Sequence, residues 1–219
     1  MPIFFQQDID EDTKLGIWKI EEREDFFLQS VVPQRNVSHP HKKLQHLAGR
    51  YLLKYLFPDF PLSLILIADT KKPYLENEVY HFSISHCGDY AAVIVSKIKR
   101  VGIDIEIATE KVERIKHKFL STAEIKMINS NSPFIHQLTL LWSCKETVFK
   151  WYGLGEVDFK DHIVIKSINS LEGNGYETII SFEKETTLYL NLTSFFFPNK
   201  IPHETKENPS DLVLSYVAT

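Results

Sequence analysis

Residues 101–106, Val-Gly-Ile-Asp-Ile-Glu, constrain this chain more than any other stretch. Val101, Ile103 and Ile105 recur at a spacing of two, the period of a β-strand. The same period puts Asp104 and Glu106 together on one face. A second stretch, residues 142–150 (Trp-Ser-Cys-Lys-Glu-Thr-Val-Phe-Lys), reads as a helix in which Glu146 and Lys150 share a face. Two carboxylates on a strand and a third on a helix make a hard, all-oxygen cation site, of the kind that suits Mg²⁺. Lys150, one turn beyond Glu146, can reach a phosphate that such a metal holds. Taken singly, each motif has a plainer reading. An Asp-x-Glu often lies on the solvent face of a half-buried sheet, and a Glu/Lys pair four apart adds only about 0.2–0.5 kcal/mol to a surface helix. Charges set among so much apolar surface favour the functional reading.

The composition narrows the partners. At 219 residues the chain can bury a real core, and 43% hydrophobic with 25% charged residues is ordinary for a globular protein. A net charge of −4 gives no support to a nucleic-acid binder, which is expected to be basic. Residues 1–10 carry acid rather than base and lack an apolar core, so they do not read as a secretory signal. The apolar run from Leu62 to Ala68 is far too short to span a bilayer, so no membrane partner is expected. Two cysteines, Cys87 and Cys144, suggest no disulfide framework, and a cytoplasmic location is expected.

Periodicity supplies the elements. The stretch to about Pro33 gives no clear period. Leu44, Leu47, Ala48, Tyr51, Leu52 and Tyr55 recur at three and four, which predicts a helix from Ser38 to Phe57, closed by Pro58. Leu62 to Ala68 reads as a strand, followed by a turn through Lys71-Lys72-Pro73. Val79 to Ser85, Tyr90 to Ser96 and the Asp104 strand, joined tightly, predict an antiparallel meander. Helical patterns run from Lys111 to Ile128 and from Ile135 to Tyr152, with Gly153 as the stop. Strands are predicted at 161–168, 176–182, 187–197 and 212–218, and the polar segment 198–211 as an exposed loop. The order suggests two similarly built halves, 1–98 and 99–219, and an α+β fold with helices packed on small antiparallel sheets.

Several side chains could hold a phosphorylated ligand. Ser85 and His86 end a strand and enter a turn with Gly88, where hydroxyl, imidazole and turn amides suit phosphate; alone, they would serve local backbone groups. Lys72 sits on a turn stiffened by Pro73. Arg50 lies on a largely apolar helix face and suits bidentate phosphate contact or, equally, a snorkelling role. Ser121-Thr122-Ala123-Glu124 is a capping box, which by itself accounts for Glu124.

Together these motifs resemble the 4′-phosphopantetheinyl transferases, in particular the longer monomeric, surfactin-type class that activates peptide synthetases. The family signature, Val-Gly-Ile-Asp-Ile-Glu followed by Trp-Ser-x-Lys-Glu-x-x-x-Lys, stands complete at 101–106 and 142–150. Residues 45–54 (QHLAGRYLLK), the 71–73 turn and 82–90 (FSISHCGDY) are similar to further family elements in the same order, with Lys71 where the family's turn has Gly. The resemblance spans about residues 40–155. It implies a pseudo-dimer of two related α/β halves with coenzyme A in the cleft between them. It also implies Mg²⁺-dependent transfer of phosphopantetheine from coenzyme A to a serine of an apo acyl or peptidyl carrier protein, releasing 3′,5′-ADP. On this resemblance Asp104, Glu106 and Glu146 bind the metal and Lys150 pairs a phosphate oxygen. Arg50, Lys72, Ser85 and His86 hold the nucleotide end with its 3′-phosphate, and Glu124 matches the proposed general base. A catalytically silent protein that binds coenzyme A or a carrier is the alternative, but it has no need of the full carboxylate set. An acyltransferase using coenzyme A would need a base near a thioester, and three metal-type carboxylates fit it poorly.

Overall fold

A computed structural model of the chain describes residues 3–33, 37–128, 133–198 and 211–219. By internal contacts the chain divides into two units, Met1–Ile103 with Ala218–Thr219, and Asp104–Val217. Both mix helices with antiparallel sheet, so the fold class is α+β.

In the first unit, β1 (Ile3–Asp8) and β2 (Thr13–Lys19) form a hairpin, followed by the short α1 (Glu24–Leu28) and the long α2 (Pro40–Leu56). α2 starts where His39 caps Lys42 N–H and Pro40 occupies the first turn. It stops at Phe57, which Pro58 forces into an extended conformation (φ −132°, ψ 100°). Leu47, Ala48, Leu52, Leu53 and Leu56 face the core, where they meet Trp18, Phe27, Val93 and Val95. A 3₁₀ turn (Leu62–Leu64), the two-residue strands β3 (Leu66–Ile67) and β4 (Pro73–Tyr74), β5 (His81–Cys87) and β6 (Tyr90–Ser96) complete the unit. Its sheet runs β1-β2-β6-β5.

Two expectations fail here for physical reasons. The strand predicted from 62 to 68 is a 3₁₀ turn (Leu62–Leu64) begun at Pro61 and then the two-residue β3, and Leu64, Leu66 and Ile67 are exposed, so its apolar run marks no buried strand. The meander is broken. Every residue of β6 is buried, so it needs a partner on each side, and it takes β5 and β2, the latter from the stretch without a clear period. β7 (Val101–Ile107), the expected third strand, instead joins the five-stranded sheet.

That sheet runs β7-β11-β10-β9-β8, with β8 (Ile163–Ser170), β9 (Gly175–Glu183), β10 (Thr187–Phe197) and β11 (Leu212–Ala218). Backbone bonds of Arg100 with Thr219 and of Ala108 to Asp211 set β7 antiparallel to β11. The second unit also holds α3 (Lys111–Phe119), α4 (Thr122–Lys126) and α5 (Phe134–Tyr152). The single helix predicted from 111 to 128 is therefore two, because Leu120 is extended (φ −111°, ψ 138°) and Ser121 caps a new start. α5 buries Leu138, Leu141, Cys144, Val148 and Trp151 against Ile163, Ile180, Leu192 and Val213. It ends at Gly153, whose φ of 73° is a conformation in which glycine carries no steric penalty. Neither cysteine is in a disulfide: Cys87 is half-buried and Cys144 is fully enclosed beside Ser194 and Ser215. The loop expected over 198–211 lies, apart from its two ends, outside the described residues.

Candidate functional site

β7 and α5 build the first cluster. Asp104 is 1% exposed and Glu106 half-buried. Trp142, Glu146 and Lys150 recur every four residues, so one stripe of α5 presents them. Trp142 Nε1 donates to Glu106 Oε1 at 3.1 Å, Ser143 Oγ donates to the Asp104 carbonyl at 3.5 Å, and Lys150 Nζ lies 2.5 Å from Asp104 Oδ1. Burial, with Asp104 and Glu106 adding to it, pushes the Glu146 carboxyl up to about 7, and Lys150 only partly opposes this. Burial alone would pull Lys150 down, but Asp104, Glu146 and Glu106 together outweigh it and the ammonium is held above its ordinary value. Three carboxylates thus share the charge of Lys150, and their oxygens fit a hard divalent cation. Among the described residues, however, no three His, Cys, Asp or Glu side chains stand ready-made around a common metal position. Lys150 holds one of the Asp104 oxygens.

Glu124 stands in a different setting. Both bonds of the expected capping box are present: Ser121 N–H donates to Glu124 Oε2 at 2.7 Å, and Glu124 N–H donates to Ser121 Oγ at 3.2 Å. Its other oxygen accepts Ile165 N–H at 2.9 Å and lies 2.8 Å from Lys145 Nζ. Lys145 also donates to the Phe159 carbonyl at 2.8 Å. Both side chains are closed off, at 0% for Lys145 and 2% for Glu124. Burial pulls the Lys145 ammonium below its ordinary value, against the opposing pull of Glu124.

Lys145 and Trp142 are residues that sequence reasoning did not single out. The signal for Lys145 was available. It falls in the apolar phase of α5, next to Cys144 and one turn before Val148 and Phe149, where an ammonium requires a buried partner. Trp142 gave a weaker signal, since an indole in a helix usually means core. Here it stacks on Phe159 at 5.5 Å and packs edge-on to Phe119 at 5.0 Å, with its N–H left for Glu106.

The remaining candidates lie in the first unit. Arg50 is buried on α2, with Nη1 donating to the His46 carbonyl at 3.4 Å. Ser85 is buried near the end of β5, and the next residue, His86, is exposed. Lys72 is half-buried; burial, with the Arg100 guanidinium adding to it, pulls its pKa down to about 8. Lys71 takes φ 67°, a left-handed conformation that favours glycine.

Residues 100–208 match the model of the 4′-phosphopantetheinyl transferase superfamily. The chain is also 33% identical over 113 residues to enterobactin synthase component D of Escherichia coli (strain K12), covering 50% of this chain and 54% of that protein. The protein of the same name from Salmonella austin is 32% identical over 111 residues, 50% of this chain and 47% of its own. That from Salmonella typhi is 28% identical over 133 residues, with 59% and 53% covered. The chain therefore spans about half the length of the curated relatives it matches. Both comparisons support the superfamily.

Proposed function

On the premise of the superfamily that residues 100–208 match, we propose that this chain transfers 4′-phosphopantetheine from coenzyme A to a serine hydroxyl of an apo acyl or peptidyl carrier protein, releasing 3′,5′-ADP. The observation that carries this reading is the cluster on β7 and α5, where three carboxylates share the ammonium of Lys150. Asp104, Glu106 and Glu146 would hold Mg²⁺, which when bound offsets the charge that develops on the pyrophosphate. Lys150, an ammonium beside Asp104, donates to a phosphate oxygen. Arg50, Lys72, Ser85 and His86 bind the nucleotide end and its 3′-phosphate. Two roles compete for Glu124. It takes the serine proton, directly or through water, or it fixes α4 and α5 through its buried bonds.

We read the chain as the longer, monomeric, surfactin-type class, working in the cytoplasm without nucleic-acid or membrane partners. In the same reading its halves, 1–98 and 99–219, form a pseudo-dimer. What supports this is that each unit by itself packs helices on an antiparallel sheet. The relatives' name, a component of enterobactin synthase, supports a multi-component synthase as the source of the acceptor. The test is to incubate apo carriers with the protein, coenzyme A and Mg²⁺ and weigh them by mass spectrometry. Gain of one phosphopantetheine is the expected result. Unchanged mass for acyl and peptidyl carriers alike, from a protein that still binds coenzyme A, would leave the silent binder.

A further inference from the structure

We infer that Thr147 is a positioning residue for the carboxylate cluster: its hydroxyl pins α5 to β11 at the level of Asp104, and so holds Glu146, the residue before it, in place for the metal. The inference rests on the metal role proposed above and adds to it a residue that touches no ligand itself.

The placement begins in the sheet. At one end of the β7–β11 pair Arg100 and Thr219 exchange both backbone bonds, at 2.9 and 3.0 Å, and at the other end Ala108 N–H donates to the Asp211 carbonyl at 2.8 Å. Followed in from either end, this antiparallel register sets Asp104 opposite Ser215. α5 bonds to both of these residues. Thr147 Oγ1 donates to the Ser215 carbonyl at 3.1 Å, and Ser143, one turn earlier, reaches the Asp104 carbonyl. Thr147 and Ser215 are both fully buried.

A threonine inside a helix commonly returns its hydroxyl to the carbonyl four residues back. Thr139 of this same helix does so, donating to the Ile135 carbonyl at 2.8 Å. Thr147 gives its hydrogen to the strand instead, so its bond ties helix to sheet. Beside it, the Cys144 thiol meets the Ser194 and Ser215 hydroxyls at 3.5 and 3.7 Å, and those two lie 2.8 Å apart. Such small side chains let α5 close on the sheet. Apolar contact has no direction and would let the helix slide or turn, whereas a hydroxyl aimed at one carbonyl sets its rotation. That rotation matters at Glu146, on which Asp104 and Glu106 act as like charges that push the helix away from β7. The bond holds the helix one residue from that repulsion.

The probe is Mn²⁺, a paramagnetic ion that takes the same oxygen ligands as Mg²⁺, titrated alone into the intact chain by electron paramagnetic resonance. Two substitutions separate the hydroxyl from the volume it fills. Thr147→Val keeps the shape and removes the donor. It should bind Mn²⁺ about tenfold more weakly, the lower range for groups that orient metal ligands, and melt near the parent. Thr147→Ser keeps the donor and removes a buried methyl, so it should melt lower and still bind Mn²⁺ as the parent does. Asp104→Ala should abolish the uptake, which ties it to the cluster. The inference is overturned if Thr147→Val binds Mn²⁺ like the parent, or if affinity follows melting temperature across the two variants. It is overturned equally if the parent takes up no Mn²⁺ or if uptake survives Asp104→Ala. Transfer to an apo carrier is scored separately, so the transferase reading can fail by itself while the Mn²⁺ comparison still decides this inference.

Discussion

Helix α5 carries two lysines, each paired with a buried carboxylate in the second unit, and the two pairs differ in balance. Lys145 meets Glu124 where both are closed to solvent, and two backbone amides and one carbonyl complete the set. Lys150 meets Asp104 while 26% exposed, and Glu106 and Glu146 crowd the same place. The first pair balances its charges and bonds both carboxylate oxygens, as a structural ion pair needs in order to survive burial. The second holds surplus negative charge, which burial makes costly unless a cation or a ligand phosphate group enters the arrangement. Charge balance sets the Lys145 pair apart as a brace of the fold, and surplus charge is what the proposed function assigns a role to at Lys150.

The largest expected effect breaks the unbalanced pair. Asp104→Ala or Glu146→Ala should lower turnover on an apo carrier about a thousandfold or more at saturating Mg²⁺, since several kcal/mol of charge stabilisation disappear. Melting temperature should hold or rise, because surplus charge has been removed. Near-normal turnover by Asp104→Ala would sink the metal assignment.

The balanced pair should respond in the opposite currency. Lys145→Met leaves Glu124 buried without its cation and should cost about 3–5 kcal/mol in chemical denaturation. Adding Glu124→Met should recover part of that loss. Glu124→Gln refines the comparison. Its amide would set a donor against Ser121 N–H, so some stability should go. If turnover of the remaining folded protein is intact, Glu124 is a brace. If turnover falls by about 10²–10⁴ beyond the folded fraction lost, it is the base.

A smaller effect should come from Trp142→Phe, which keeps the stack on Phe159 and deletes the bond to Glu106. Mg²⁺ titration by calorimetry in the presence of coenzyme A should show affinity weakened about fivefold, the scale of one net hydrogen bond. An unchanged affinity would mean that the indole only packs.

The smallest concerns Lys72. Its folded pKa of about 8 lies below the ordinary lysine value, so the folded state holds this proton less tightly than the unfolded chain does. Its contribution to stability therefore improves as pH rises from about 8 to about 10.5. Lys72→Met should melt slightly higher than the parent at pH 7 and lose that advantage at pH 10.5, while binding coenzyme A more weakly. A lower melting temperature at pH 7 would show that the ammonium is stabilised where it lies.

Elements with a strong period were legible in the sequence. α2 and α5 fall within two residues of their expected ends, as do β8, β9, β10 and β11. The stretch to Pro33 resisted because the two strands of its hairpin give different patterns. β1 alternates exposed and half-buried, whereas β2 has four consecutive buried residues. Strand partners were not legible either, because which strand fills the free edge of β6 depends on a segment far away in sequence. For the candidate site, the residues of β7 and α5 followed from period alone. The bonding of Glu124 did not, since Lys145, Phe159 and Ile165 reach it from separate elements.

The placement of the two cysteines also makes the chain selectively addressable. Cys144 is fully enclosed and burial pushes its thiol up, so an alkylating reagent meets little thiolate there until the protein unfolds. Cys87 is half-buried at the end of β5, one residue past His86. A fluorophore would thus attach to the native protein at Cys87 without any engineered cysteine. Delayed labelling of the second thiol would time global unfolding.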